Sequence, residues 1–203
     1  GYMIYCKGMN PGKILTVTYT VAATKDMADR FAVKFGQEMA ERLEFRTING
    51  ICARVIQYYS WKTGRMAFQL LTDENRITAM LSGIYQQTER VYPTEGDLKN
   101  VRTLITYIKN RMLNEKEIQK LEEEAEIHLA AIYKEYCRQL REQQLMDYDD
   151  QMVYAYNMLR KIPELLAYFQ EKYPYICVDE AQDTSKIQHA IIALLASGSE
   201  NLF

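Results

Sequence analysis

Residues 173–188 read YPYICVDEAQDTSKIQ. The run Tyr175 to Val178 is apolar and partly β-branched, fit for a buried strand, and it stops at two adjacent carboxylates, Asp179 and Glu180. A carboxylate at the C-terminal end of a parallel strand faces the crevice in which α/β proteins bind ligands. One such Asp can hold Mg²⁺ through water while the metal bridges nucleotide phosphates. A neighbouring Glu can polarise the water that attacks a terminal phosphate, which is general-base work. The plainer reading of DEAQDTS is a polar strand-to-helix turn with Asp183 or Ser185 as the helix N-cap. Two acids alone do not decide between these readings.

The rest of the chain decides what the strand belongs to. At 203 residues the chain can bury one large core or two small ones. Hydrophobic content of 48% with 26% charged residues is ordinary for a globular protein, and a net charge of −2 supplies no global basic field. Contacts to nucleic acid must therefore rest on local groups. Cys6, Cys52, Cys137 and Cys177 lie far apart and form no CxxC pair, so disulfides and a zinc site are not expected, and a reducing, cytoplasmic setting is. No apolar run approaches the roughly 18 residues of a membrane span. His128 and His189 are isolated, with no ligand spacing around them, and read as structural or surface residues.

The first third alternates strand and helix. KILTVTYT (13–20) suits a buried parallel strand and runs into AATKDMADRFAVKF, where Ala23, Met27, Phe31 and Phe35 recur on one helix face before Gly36. LEFRTI (43–48) reads as a second strand, followed by a helix with Ile51, Cys52, Val55 and Tyr59 on one stripe. From about residue 65 to 145 the strand signal vanishes. Asp73 caps one expected helix, and Leu98, Val101, Ile105, Ile108 and Met112 mark another. EKEIQKLEEEAEIHLAAIYKEYCRQLREQQ reads as one long helix with a stripe of Ile118, Leu121, Ala125, Leu129, Ile132, Tyr136 and Leu140. After residue 146 the α/β pattern returns. The expectation is an α/β protein, mostly helical overall. Its parallel-sheet domain, 1–65 with 146–203, is interrupted by an all-helical subdomain, 66–145.

At this point the chain resembles the superfamily 1 DNA helicases of the UvrD/Rep/PcrA type. VDEAQDTSKIQ matches their motif II, the Walker B segment, at Val178, Asp179, Glu180, Gln182, Asp183, Thr184 and Gln188. VTYTVAATKDMADRF resembles motif Ia, with Tyr19 where an aromatic packs on a base of single-stranded DNA and Thr20 where a hydroxyl meets a phosphate. Such stacking is worth roughly 1–3 kcal/mol per base and tolerates any sequence. Val21 and Ala22 replace the usual Asn-Lys there, and Thr24 a usual Ala. FRTINGICARVI resembles motif Ib; Thr47 matches, whereas Asn49 replaces the usual His and Gly50 the usual Ser. MDYDDQMVYA is similar to the segment that leads back from the helical insertion, where Asp149 and Asp150 read as capping and positioning groups.

The resemblance implies a RecA-like, P-loop NTPase domain called 1A, split by a helical subdomain 1B. It implies an ATP-driven motor that translocates on single-stranded DNA and unwinds duplexes, 3′ to 5′ if it follows its relatives, with ATP and Mg²⁺ as cofactors. Asp179 would hold Mg²⁺ and Glu180 would activate water, with Gln182, Asp183, Thr184 and Gln188 in support. No GxxxxGK[ST] occurs; the only GK, Gly12-Lys13, precedes a strand. The chain therefore reads as a piece of the motor, without its phosphate-binding loop and inactive alone, with a sheet edge exposed to self-association. Two rival readings remain open: a non-enzymatic protein-interaction module carrying a relic Walker B motif, and the motor part of a helicase–nuclease.

Overall fold

The structure is a computed structural model, and it describes residues 1–179, 184–199 and 201–203. Its opening elements are α1 (Tyr2–Tyr5), β1 (Ile14–Thr18), α2 (Val21–Phe35), α3 (Gln37–Glu41), β2 (Glu44–Thr47) and α4 (Ile48–Thr63). Next come β3 (Gln69–Leu70), α5 (Glu74–Glu89), α6 (Glu95–Arg111), α7 (Glu115–Ala125), α8 (Leu129–Glu142), β4 (Leu145–Met146) and α9 (Tyr148–Lys161). The chain closes with α10 (Pro163–Lys172), β5 (Tyr175–Val178) and α11 (Lys186–Ala196). It forms two compact units, residues 1–65 with 154–203, and residues 66–153.

The first unit is built on a parallel sheet in the order β2-β1-β5. All five residues of β1 are buried, which is why its sequence shows no polar alternation and why it occupies the centre. Residues 201–203 continue the sheet beyond β5: Phe203 N–H donates to the Ile176 carbonyl at 2.9 Å, and Val178 N–H to the Phe203 carbonyl at 2.8 Å. Helices α4, α10 and α11 supply Ile51, Val55, Phe169, Ile191 and Leu195 to the core. The stripe expected on α2 is present, but Ala23, Met27, Phe31 and Phe35 are half-buried, and no residue of α2 is fully buried. The turn after α2 needs a positive φ, which Gly36 supplies at 94°.

The second unit buries Ile77, Leu81 and Ile84 of α5 with Val101 and Ile105 of α6 and Ile132, Tyr136 and Leu140 of α8. A smaller cluster joins Ile108, Ile118 and Leu129. Two sequence expectations fail here. The unit is not all-helical: β3 pairs in parallel with β4, Gln69 opposite Leu145 and Leu70 opposite Met146. Strands of two residues leave too little periodicity to be seen in sequence.

The long charged helix is likewise two helices. Glu126 takes a left-handed conformation (φ 54°, ψ 33°) and ends α7. The amides freed at the start of α8 then find carboxylates: Ala130 N–H donates to Glu122 at 2.6 Å, and His128 N–H to Glu89 at 2.7 Å. Satisfying those orphan donors offsets the helical hydrogen bonds lost at the break. The return boundary falls inside α9, between Val153 and Tyr154, where the sequence suggested 146.

Candidate functional site

The C-terminal ends of the three strands lie side by side. Thr18 of β1 is in register with Thr47 of β2, and Val17 with Val178 of β5. Two helices begin at that edge, each capped by a threonine that the sequence had singled out. The Thr20 hydroxyl oxygen accepts from Ala23 N–H at 3.0 Å, and the Thr47 hydroxyl oxygen accepts from Gly50 N–H at 2.9 Å. Both are ordinary N-caps in which a side-chain oxygen satisfies an orphan amide. The rest of each helix N-terminus presents unpaired amides and a partial positive charge, a setting that favours anions.

Asp179 follows β5 at the same edge. Its backbone N–H donates to the Val17 carbonyl at 3.1 Å, so the sheet hydrogen bonding persists to the acid itself. Asp179 is half-buried and lines a cavity of about 260 Å³ with Thr16, Met27, Phe31, Phe45 and Cys177. Burial pushes the Cys177 thiol up from its usual range, which keeps it protonated beside the acid. Glu180, Gln182 and Asp183 lie outside the described residues.

The structure brings the Tyr19 and Thr184 hydroxyls together in a short hydrogen bond. Ser185 caps α11 in a reciprocal box with Gln188: Ser185 N–H donates to Gln188 Oε1 at 2.9 Å, while the Ser185 hydroxyl takes the Gln188 amide. Of the two caps that the plainer reading offered for this turn, Ser185 is thus one in fact. Asn49 sits in the first turn of α4, and its side-chain oxygen is buried without a hydrogen-bond partner. An orphaned buried acceptor costs about 1–3 kcal/mol.

The profile of the UvrD/REP helicase N-terminal domain matches residues 1–203. The chain belongs to that family. It is 29% identical over 204 residues to the ATP-dependent DNA helicase PcrA of Staphylococcus epidermidis, covering 99% of this chain and 27% of that protein. It is 28% identical to the protein of the same name from Staphylococcus aureus, with the same coverage. The chain thus spans 27% of the length of these relatives.

Within this UvrD/REP domain the structure also shows residues that the sequence reading missed. Lys109 of α6 is 3% exposed, and its ammonium lies 2.7 Å from Asp147 and 2.8 Å from Asp150. Burial opposes the charge, but the two carboxylates outweigh it and hold Lys109 above its usual range. Asp150 also completes a capping box at the start of α9, its N–H donating to Asp147 at 2.7 Å. Asp149 accepts from the Thr106 hydroxyl at 2.8 Å and the Asn110 amide at 2.7 Å. The only sequence signal for Lys109 was its place one residue past Ile108 on an apolar stripe, which is common for a lysine whose head group reaches water. Among the described residues no group of three or more His, Cys, Asp or Glu could hold a metal ion. His128 lies beside Glu89 with its ring nitrogen at 3.2 Å, an exposed helix-start contact.

Proposed function

We propose that this domain is part of an ATP-dependent DNA helicase and contributes half of a nucleotide site and part of a single-stranded DNA track. The observation that carries the reading is the convergence at one sheet edge of Asp179, Tyr19 and the helix starts capped by Thr20 and Thr47. The sheet domain reads as the RecA-like 1A and residues 66–153 as the inserted 1B. The donor set fits Mg²⁺ of the nucleotide-bound kind, which takes one or two carboxylates and completes its shell with water and phosphate. Asp179 is such a carboxylate, anchored by β5. When bound, the ion would neutralise charge on the transferred phosphoryl group. Glu180, the next residue along, is assigned to accept the proton of the attacking water.

On the DNA side, Tyr19 offers its ring for stacking while its hydroxyl is held by Thr184. The helix starts of α2 and α4 offer backbone amides to phosphates. Asn49 has its oxygen inside, so its amide nitrogen is the end available as a donor to a phosphate oxygen. Val21 and Ala22 contribute no polar group at this edge, and the contact there rests on backbone and hydroxyl groups. Direction of travel along DNA is proposed as 3′ to 5′.

The test is Mg²⁺-dependent ATP hydrolysis by the full-length protein, with and without an oligo(dT) strand, in wild type, Asp179→Asn and Glu180→Gln. DNA-stimulated turnover that falls at least a hundredfold in both variants is expected. Turnover indifferent to both substitutions would replace this reading with that of an interaction module.

A further inference from the structure

Away from the strand ends, the second half of α4 packs beside α10 and builds a patch that neither the nucleotide nor the DNA reading uses. Tyr58 and Tyr168 stack at 3.9 Å with an interplanar angle of 12°, and Phe169 packs edge-on beneath them. Trp61, one turn further along α4, lies 5.9 Å from Tyr58 and is 79% exposed. These rings, with Arg54 and Lys172, line a hollow of about 270 Å³, the size of one large side chain.

The charges around it are uneven. Glu44 is shared by Arg46 at 2.9 Å and Arg54 at 2.6 Å, and Arg54 also donates to the Tyr173 hydroxyl at 3.0 Å. Lys172 has no carboxylate partner among the described residues; its ammonium rests over the rings of Tyr173 and Tyr168 at 5.3 and 6.0 Å. Three cations therefore face one acid. Burial, then Arg54, push the Lys172 ammonium below its usual range.

We infer that this patch docks a short acidic segment of a partner protein, inserting one aromatic or aliphatic side chain beside Trp61 and setting an Asp or Glu on Lys172. Exposed Trp and Tyr with Arg are the residues that dominate protein–protein hot spots, and a rim charge of one sign selects its opposite. A nucleic-acid strand fits less well. It needs a row of free ring faces and cations at phosphate spacing, whereas Tyr58 and Tyr168 cover each other and, of the two cations that line the hollow, Arg54 is already paired with Glu44.

Trp61 is the single tryptophan of these 203 residues, and the part of the emission change that disappears in Trp61→Phe reports on this patch. The probe is a displayed library of random 12-residue peptides, selected on the full-length protein and counter-selected on Lys172→Glu. Expected are enriched peptides with an acid next to an aromatic or aliphatic residue, which blue-shift the Trp61 emission, bind Lys172→Glu at least tenfold more weakly, and bind Tyr58→Ala more weakly too. Several results would overturn the inference: no enrichment over the counter-selection, enrichment of basic peptides, a dimer lost in Trp61→Ala, or loss of oligo(dT) affinity in Trp61→Ala. The last would mark the patch as a second nucleic-acid contact. Because Lys172 lies outside the helicase chemistry proposed above, unchanged ATP turnover in Lys172→Glu keeps the two readings separable.

Discussion

The hydroxyls of Tyr19 and Thr184 hydrogen-bond to each other, joining the residue after β1 to the turn before α11 across 165 positions of sequence. Removing only the hydroxyl, Tyr19→Phe, is expected to lower stability by about 1 kcal/mol, the net worth of one such bond. Single-stranded DNA affinity should then stay within about threefold of wild type. Removing the ring, Tyr19→Ala, is expected to cost a further 1–3 kcal/mol of DNA affinity, about 5- to 150-fold. Urea unfolding and anisotropy of a labelled oligo(dT) read the two effects. Equal DNA affinities for the two variants would refute a stacking role.

The buried Lys109 is held by Asp147 and Asp150, and removing the cation leaves two carboxylates unpaired. Lys109→Met is expected to destabilise the protein by about 3–5 kcal/mol. Adding Asp150→Asn to that variant should recover part of the loss, because fewer uncompensated charges then remain buried. Thermal or urea unfolding of the pair measures this, and a double variant worse than the single would contradict it.

Glu44 predicts a pH effect with a definite sign. Burial raises its pKa, but hydrogen bonds and charge from Arg54 and Arg46 outweigh this and hold it below its ordinary 4.5. A depressed carboxylate pKa contributes stability that is fully present above pH 4.5 and is lost as pH falls through the folded value. Glu44→Gln should therefore cost about 1 kcal/mol at pH 7 and progressively less as pH falls below 4.5. Urea midpoints of both proteins across pH 3–7 check the convergence; a constant gap would mean that the pair's charge is irrelevant.

The four cysteines should separate by rate. Burial pushes the Cys52 thiol up to about 12, and raises Cys137 and Cys177 as well, whereas Cys6 is exposed. Since the thiolate is the reactive form, iodoacetamide at pH 8 should label Cys6 first and Cys52 only after unfolding. Peptide mass spectrometry over a time course reads the order directly, and early labelling of Cys52 would show that α4 opens in the native state.

Much of the sheet unit was legible in the sequence because its signals are local. β1, buried throughout, is a continuous apolar run, β2 and β5 are short β-branched or aromatic runs bounded by polar residues, a cap lies within one turn of the amide it satisfies, and Gly36 stands where a positive φ is needed. Hence β1, β2, β5 and the starts of α2, α4 and α5 emerged from residue order, and the family resemblance rested on residues in those same turns. Two-residue strands and a single left-handed Glu126 have no such local mark, so β3, β4 and the break between α7 and α8 did not.

By itself, then, the sequence determined that a strand delivers Asp179 to a sheet edge and that Asp73 caps a helix, whereas the caps made by Thr20 and Thr47 came from the structure. Tertiary structure alone decided the partners that meet across long stretches of chain. It buried Lys109 between acids 38 and 41 residues away, aimed Tyr19 at Thr184, and set the rings of Tyr58 and Tyr168 face to face beside an unneutralised Lys172. Hydrophobic periodicity says which side of a helix turns inward. It does not say which charge or ring waits there, because that depends on how separate elements pack and on how much water their contact excludes.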